Sequence, residues 1–274
     1  MKKHVLVSAL IIFLGLSSAL LGGCGKVPLT DRQQLLLISD ADLETQGALQ
    51  YAEVLAKAKV VGPSSVDEQS VVRVGTRLAK AVDDFVRAKG ISQAGTGYKW
   101  EFNLIDDPAT ANAFCLPGGK IAVYSGLLKV TQDDTGLAVV LSHEIAHALA
   151  KHSNERLSQI LLVQYGGAQL TDAIRNNPEE TQKNIMAAFG LGANIGVLLP
   201  YNRMQESEAD RIGLALMAYA GYDPHQALTF WSRMEKLGGS GLPELLSTHP
   251  LDSTRINDIK AEIPEALKYY RTYK

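Results

Sequence analysis

His143-Glu144-Ile145-Ala146-His147, set inside the apolar run Leu137–Ala150, is the stretch from which the rest of this chain can be read. On an α-helix, residues four apart share a face, so the imidazoles of His143 and His147 can point at one ion. Glu144 sits one position round from His143, where its carboxylate can hold a water on that ion without being a ligand. Two imidazoles and a neighbouring carboxylate base are what a zinc-dependent hydrolase needs. The bland alternative is a chance match, since Leu141, Ile145 and Leu149 would suit any buried helix.

A third protein ligand must come from downstream. A Gly three residues and a His six residues after His147 would make a metzincin site, but those positions are Ala150 and Ser153. The thermolysin-type offset lands on Gly167 and fails as well. His152 falls on a different helical face from His143 and His147 and reads as a surface or second-layer residue. The run Tyr201–Asp210 opens a strong helix in which Glu206 and Asp210 are four apart. Given the histidine pair, Glu206 is the ligand candidate, and Asp210 would take the N–H of a liganding imidazole and fix its tautomer. Glu208 points elsewhere and is the weaker candidate. Without the histidines, an acidic helix start would need no more than the helix dipole to explain it. This reading calls for one Zn²⁺ per chain.

The chain has 274 residues, a formal net charge of −2 and a 46% hydrophobic share, which suits an ordinary globular protein with a sizeable core. No basic run and no aromatic-basic interleaving points to nucleic acid. The two cysteines, Cys24 and Cys115, make no disulfide framework. At the start, Met1-Lys2-Lys3-His4 precedes the apolar Val5–Leu21, and Gly22-Gly23-Cys24 follows. This resembles a bacterial lipoprotein signal, cleaved before Cys24, whose sulfur then carries lipid. An uncleaved anchor helix and a plain secretory signal are the alternatives. Gly25 where an Asp would favour inner-membrane retention leans towards the outer membrane, with the domain facing the periplasm. The division expected is 1–23 signal peptide, 24–40 lipidated tether and 41–274 folded domain.

Ser39 or Asp40 can cap a helix reaching about Val60. Ser64 or Ser65 can cap a second one, with Val71, Val72, Leu78, Val82, Phe85 and Val86 as core and Gly90 as stop. Tyr98–Ile105 alternates as a half-buried strand. Ala113-Phe114-Cys115-Leu116, Pro117-Gly118-Gly119 and Ile121-Ala122-Val123-Tyr124 read as strand, turn, strand. The hairpin is either structural or an edge (Ala113, Phe114, Cys115, Ile121, Ala122, Val123) on which an extended substrate can pair. Cys115 itself reads as a small core residue rather than a nucleophile. Thr131–Asp134 can cap the motif helix, which is expected to run past Ala150 towards His152. Ser153–Pro200 reads as a helical hairpin beside the cleft, a candidate lid. After a turn at Gly221–Pro224 come an amphipathic helix over Ala227–Leu237, a flexible link, a loop at Ser247–Pro250, a last helix over Ser253–Ile263 and a loose tail. His225 has no partner apparent in the sequence.

Several blocks together resemble one family: Asn112–Gly119, His143–His147 with His152 and Arg156, Leu199–Arg203, Glu206–Asp210 and Ser247-Thr248-His249-Pro250. These are similar to the zinc metallopeptidases that include HtpX, the CaaX prenyl proteases, the mitochondrial Oma-type proteases and the bacterial BepA and LoiP proteases. The similarity covers roughly Leu35 to Ile256, and the lipid-anchored form is most like LoiP. It implies a mainly helical α+β fold, a zincin-like (gluzincin) domain with a small β-sheet, and a metal site completed by Glu206. Glu144 would act as base and Asp210 would orient a ligand. His249, which Pro250 holds in extended geometry, is a hydrogen-bonded structural residue, a donor to the oxyanion, or a gate bound at the open metal position. Polypeptide substrates in the envelope are expected, with room for envelope protein partners. The rival from another class is a zinc-containing chaperone-like module that holds clients with little cleavage.

Overall fold

The computed structural model describes residues 24–89, 97–165, 203–238, 244–250 and 254–270. Its centre is the motif helix, Asp134–Leu149. Asp133 caps it in extended geometry, its side chain accepting from the Gly136 N–H at 2.7 Å. The helix is apolar almost all round, so it is buried almost all round. It does not continue to His152 as expected. Lys151 takes a left-handed φ of 54°, and the chain restarts as a separate helix, His152–Tyr165.

In chain order the elements are strands β1 (Cys24–Lys26) and β2 (Gln33–Leu35), helices α1 (Asp40–Lys57) and α2 (Val66–Lys89), and strands β3 (Glu101–Ile105), β4 (Ala113–Leu116) and β5 (Lys120–Tyr124). Helices α3 (Ser125–Thr131), α4 (the motif helix), α5 (His152–Tyr165), α6 (Arg203–Tyr219), α7 (Gln226–Gly238), α8 (Glu244–Thr248) and α9 (Arg255–Leu267) follow. This is the mainly helical α+β architecture expected. Helix α6 lies directly on α4. Gly213 permits the approach, because a Cβ there would come within 3.1 Å of the His143 N and the Ser142 O. Helix α9 packs on α6, while α2 and α7 pack on α4. The main apolar core joins α2, the sheet, α4, α6, α7 and α9, with Phe230 and Trp231 among its largest buried side chains. A smaller core lies under α1 and α5.

The three-stranded sheet has the order β3-β5-β4. β4 and β5 form the expected antiparallel hairpin, turned by Gly118 and Gly119 at φ of 82° and 81°. β3 pairs with β5 in parallel. β5 is therefore interior and hydrogen-bonded on both sides. Ile121, Ala122 and Val123 can offer no free edge, which corrects the sequence expectation; only β4 lies at that border of the sheet. The cause is non-local: the loop after β3 carries the chain past its neighbour, and β5 folds back between the two.

Other expectations shift in detail. Segment 24–40 is ordered from its start. β1 and β2 pair as a hairpin with Cys24 opposite Leu35, and Val27 is 1% exposed. The apolar Leu35–Ile38 docks: the Leu37 N–H donates to Ser158 Oγ at 2.8 Å, and Asn154 Nδ2 donates to the Ile38 carbonyl at 2.9 Å. On α2, Val71 is buried but Val72 is 40% exposed, because adjacent helical positions point to different faces. His249 follows a short helix rather than sitting in an open loop, its N–H donating to the Leu245 carbonyl at 2.8 Å. The last helix extends to Leu267 with Pro264 inside it, and Tyr269 packs edge-on against Phe85. The signal peptide (1–23), the helical-hairpin reading of 166–202 and the flexible link at 239–243 lie outside the described residues. No helix among the described residues is long and apolar enough to cross a membrane.

Candidate metal centre

His143 and His147 come from successive turns of α4, Glu206 from the first turn of α6, and His249 from the end of α8. One donor atom from each of these four buried residues lies within 4.8 Å of the others. His143 Nε2 and His147 Nε2 are 3.1 Å apart. Glu206 Oε2 is 3.4 Å from His143 Nε2, and its Oε1 is 3.3 Å from His147 Nε2. His249 Nδ1 lies 3.3 Å from His143 Nε2 and 2.9 Å from Glu206 Oε1. A tetrahedron built on zinc–nitrogen bonds of about 2.0–2.1 Å has edges of about 3.3 Å. Three imidazole nitrogens and a carboxylate converging at that spacing in a buried site can be satisfied together by one cation. The site can bind one metal ion, and its donor set suits zinc.

The pattern of Peptidase family M48 matches residues 73–263. The chain belongs to this family. Over 173 residues it is 40% identical to the mitochondrial metalloendopeptidase OMA1 of Schizosaccharomyces pombe, covering 61% of this chain and 48% of that protein. The Saccharomyces cerevisiae protein of the same name is 29% identical over 269 residues, covering 92% and 74%. The beta-barrel assembly-enhancing protease of Yersinia pestis is 30% identical over 157 residues, covering 54% and 32%. The chain thus spans about half the length of the fission-yeast relative and about a third of the Yersinia one.

The M48 centre is surrounded by charge that sets its electrostatics. Asp210, one turn after Glu206 on α6, places Oδ1 2.9 Å from His143 Nδ1. That contact fixes the tautomer leaving Nε2 free for metal. Burial pushes the Glu206 carboxylate up, but His249, Arg255, His143 and His147 outweigh it and hold it well below the usual carboxylate range. Burial, helped by the neighbouring His143 and His152 and opposed by Glu206, drives His147 well below the ordinary imidazole value, which keeps it neutral as a ligand must be. Glu144 is not among the four donors. Burial raises its carboxyl, against the pull of His249 and His143, and it accepts a hydrogen bond from the Cys115 backbone N–H. Glu144 Oε1 is 3.3 Å from His249 Nε2.

Two features went unread in the sequence. Arg255, in the first turn of α9, is 5% exposed and reaches Glu206 Oε2 with Nη1 at 2.9 Å. Its guanidinium stacks on the Trp231 ring, 3.7 Å from the centroid. A buried arginine six residues after His249 carries no periodic signal that would mark it. The second feature is Glu208. It is 7% exposed and holds Arg32, Thr30 and His152, so the weaker ligand candidate is a buried structural acid rather than a solvated one. His225 is exposed and pairs with Asp223 at 2.7 Å. Cys115 lines a cavity with Tyr98, Pro117 and His147 on the β4 side of the centre.

Proposed function

We propose that this chain is a zinc-dependent endopeptidase of the bacterial cell envelope that cuts extended or misfolded polypeptides in envelope protein quality control. The observation that carries the proposal is the placement of Glu144 beside, and not within, the His143–His147–Glu206 donor set. A bound zinc supplies an acidified water and a Lewis acid for the scissile carbonyl. Glu144, its basicity raised by burial, takes the proton from the attacking water and returns it to the leaving amine. Asp210 keeps His143 in its binding tautomer, and Arg255 keeps Asp210 and Glu206 charged and in place. β4, with Ala113, Phe114 and Cys115, is the strand available to pair with an extended substrate, and the cavity beside Cys115 would receive a substrate side chain.

His249 is the gate. Its Nδ1 fills the fourth corner of the donor set, and the same imidazole faces the base Glu144 through Nε2. An imidazole so placed occupies the position that water needs and engages the base as well. Movement of α8 would free both. Lipid on Cys24 would anchor the domain to the outer membrane, facing the periplasm. Support comes from the glycine-flanked cysteine after an apolar run and from the bacterial relatives named as beta-barrel assembly-enhancing proteases.

The test is cleavage of unfolded casein by the purified chain, with and without a chelator. Chelator-sensitive cleavage is expected. Tight binding of casein by the zinc-loaded protein with no cleavage would replace hydrolysis with a chaperone-like holding role.

A further inference from the structure

We infer that Thr30 and Arg32, on the N-terminal hairpin, are positioning residues for the metal ligand His147, acting through Glu208 and His152. The inference rests on the zinc reading of the site. If His147 binds metal through Nε2, its proton sits on Nδ1. That Nδ1 lies 2.8 Å from His152 Nδ1, so the His147 N–H donates and His152 Nδ1 must accept. The His152 proton is then on Nε2, which faces Glu208 Oε2 at 3.4 Å, long for a tight hydrogen bond but directed at a carboxylate. Each direction of donation follows from the one before it, and the chain ends on a carboxylate acceptor.

Glu208 is kept in that role from the N-terminal hairpin. Thr30 Oγ1 donates to its Oε1 at 2.6 Å and Arg32 Nε to its Oε2 at 2.7 Å. The other two guanidinium nitrogens of Arg32 grip Glu155 at 2.7 and 2.8 Å, and Glu155 also accepts from Gln205 Nε2 at 2.7 Å. Arg32 thereby ties the starts of α5 and α6 together through two carboxylates. His152 itself is 0% exposed. The break at Lys151 puts it there: a continuous α4 would have carried it to another face. Both hairpin residues lie ahead of residue 73, where the family match begins. Support for the metal ligand His147 thus reaches it from the segment next to Cys24.

The experiment uses the full chain, stripped of metal, with zinc affinity read by competition against a chromophoric chelator and ligand geometry by the visible spectrum of the cobalt-loaded form. Arg32→Ala and Glu208→Gln are expected to weaken zinc binding about 10–100-fold and to alter the cobalt spectrum. Arg32→Lys should recover only part of the affinity, because an ammonium cannot grip both carboxylates with a fork. Ser158→Ala loosens the same segment at Leu37 without touching the relay, and should bind zinc as the parent does. Glu208→Gln is near-isosteric and decides the matter if Arg32→Ala does not fold. Folded Arg32→Ala and Glu208→Gln proteins that bind zinc as tightly as the parent would overturn the relay. So would a loss in Ser158→Ala equal to that in Arg32→Ala. A parent chain that binds no zinc would instead overturn the metal site, and the relay with it.

Discussion

Arg255 grips Asp210 with two guanidinium nitrogens, Nε at 2.8 Å and Nη2 at 2.9 Å, in a bidentate pair that is almost wholly buried. Asp210 Oδ1 also faces His143 Nδ1, so one carboxylate links a permanent cation to a metal ligand. Removing the cation leaves Asp210 and Glu206 buried with less compensation. Arg255→Ala should cost about 3–5 kcal/mol of stability, the usual result of breaking a buried pair. It should also cost about 10–100-fold in zinc affinity or turnover. Arg255→Lys should restore little, since a point charge cannot reproduce the fork or the stack on Trp231. Thermal melting and elemental analysis check both; unchanged melting and unchanged zinc would remove Arg255 from the site.

Glu144→Gln should keep the fold and the zinc while losing about 10²–10⁴-fold in cleavage rate, the range expected for a general base. Its side chain lies outside the four-donor cluster, which is why metal content should not move. Zinc stoichiometry and casein cleavage on the same preparation separate the two effects. Near-parental cleavage would mean that another group takes the proton.

How much of this was legible in the sequence depends on range. Asp133 before the motif helix, Ser39 before α1 and the paired glycines 118 and 119 act within a few residues, and the elements they bound fall close to where local rules put them. Glu206 and Asp210 were readable because helical spacing puts them on one face. The strand order was not, since the parallel β3–β5 pairing depends on the path of the chain and leaves no mark in either strand. Nor was the relay: Arg32 and Glu208 are 176 residues apart, and neither stands in a pattern. Of the two places expected for His152, surface or second layer, the structure has the second; only the break at Lys151 that puts it there was not legible, because a non-glycine residue at positive φ has no reliable signature.

Glu68 gives a pH prediction away from the metal. It is 6% exposed and accepts the Leu104 N–H at 2.7 Å. Burial raises its carboxyl above the ordinary value, with the Leu104 hydrogen bond opposing. A raised folded-state value means that its contribution is fully favourable below the unfolded pKa and is lost as pH rises through the folded one. At neutral pH the ionised group therefore costs stability. Glu68→Gln keeps an acceptor for Leu104 without the charge, and should raise the melting temperature at pH 7 by about 2 °C. The gain should vanish below the unfolded carboxyl value of about 4.3. Melting curves across that range check the sign; a gain that grows in acid would refute it.

The proposed gate, His249, gives the last prediction. Its Nδ1 sits 2.9 Å from Glu206 Oε1 and its Nε2 3.3 Å from Glu144 Oε1, so in the proposed gate one ring would block a coordination position and engage the base together. The ring is carried by α8, whose Leu245 N–H donates to the Ala111 carbonyl at 3.2 Å, just before β4. A substrate pairing with β4 would thus arrive next to the element that holds the gate. His249→Ala should retain one zinc on His143, His147 and Glu206. It should also raise basal cleavage and self-cleavage, by about tenfold if the closed arrangement holds nine molecules in ten. Cleavage of casein by the resting protein, with zinc measured in parallel, is the check. A fall in turnover of about 10²–10³-fold at normal zinc content would assign His249 to the oxyanion instead. Unchanged rates would leave it a packing residue of the α8 turn.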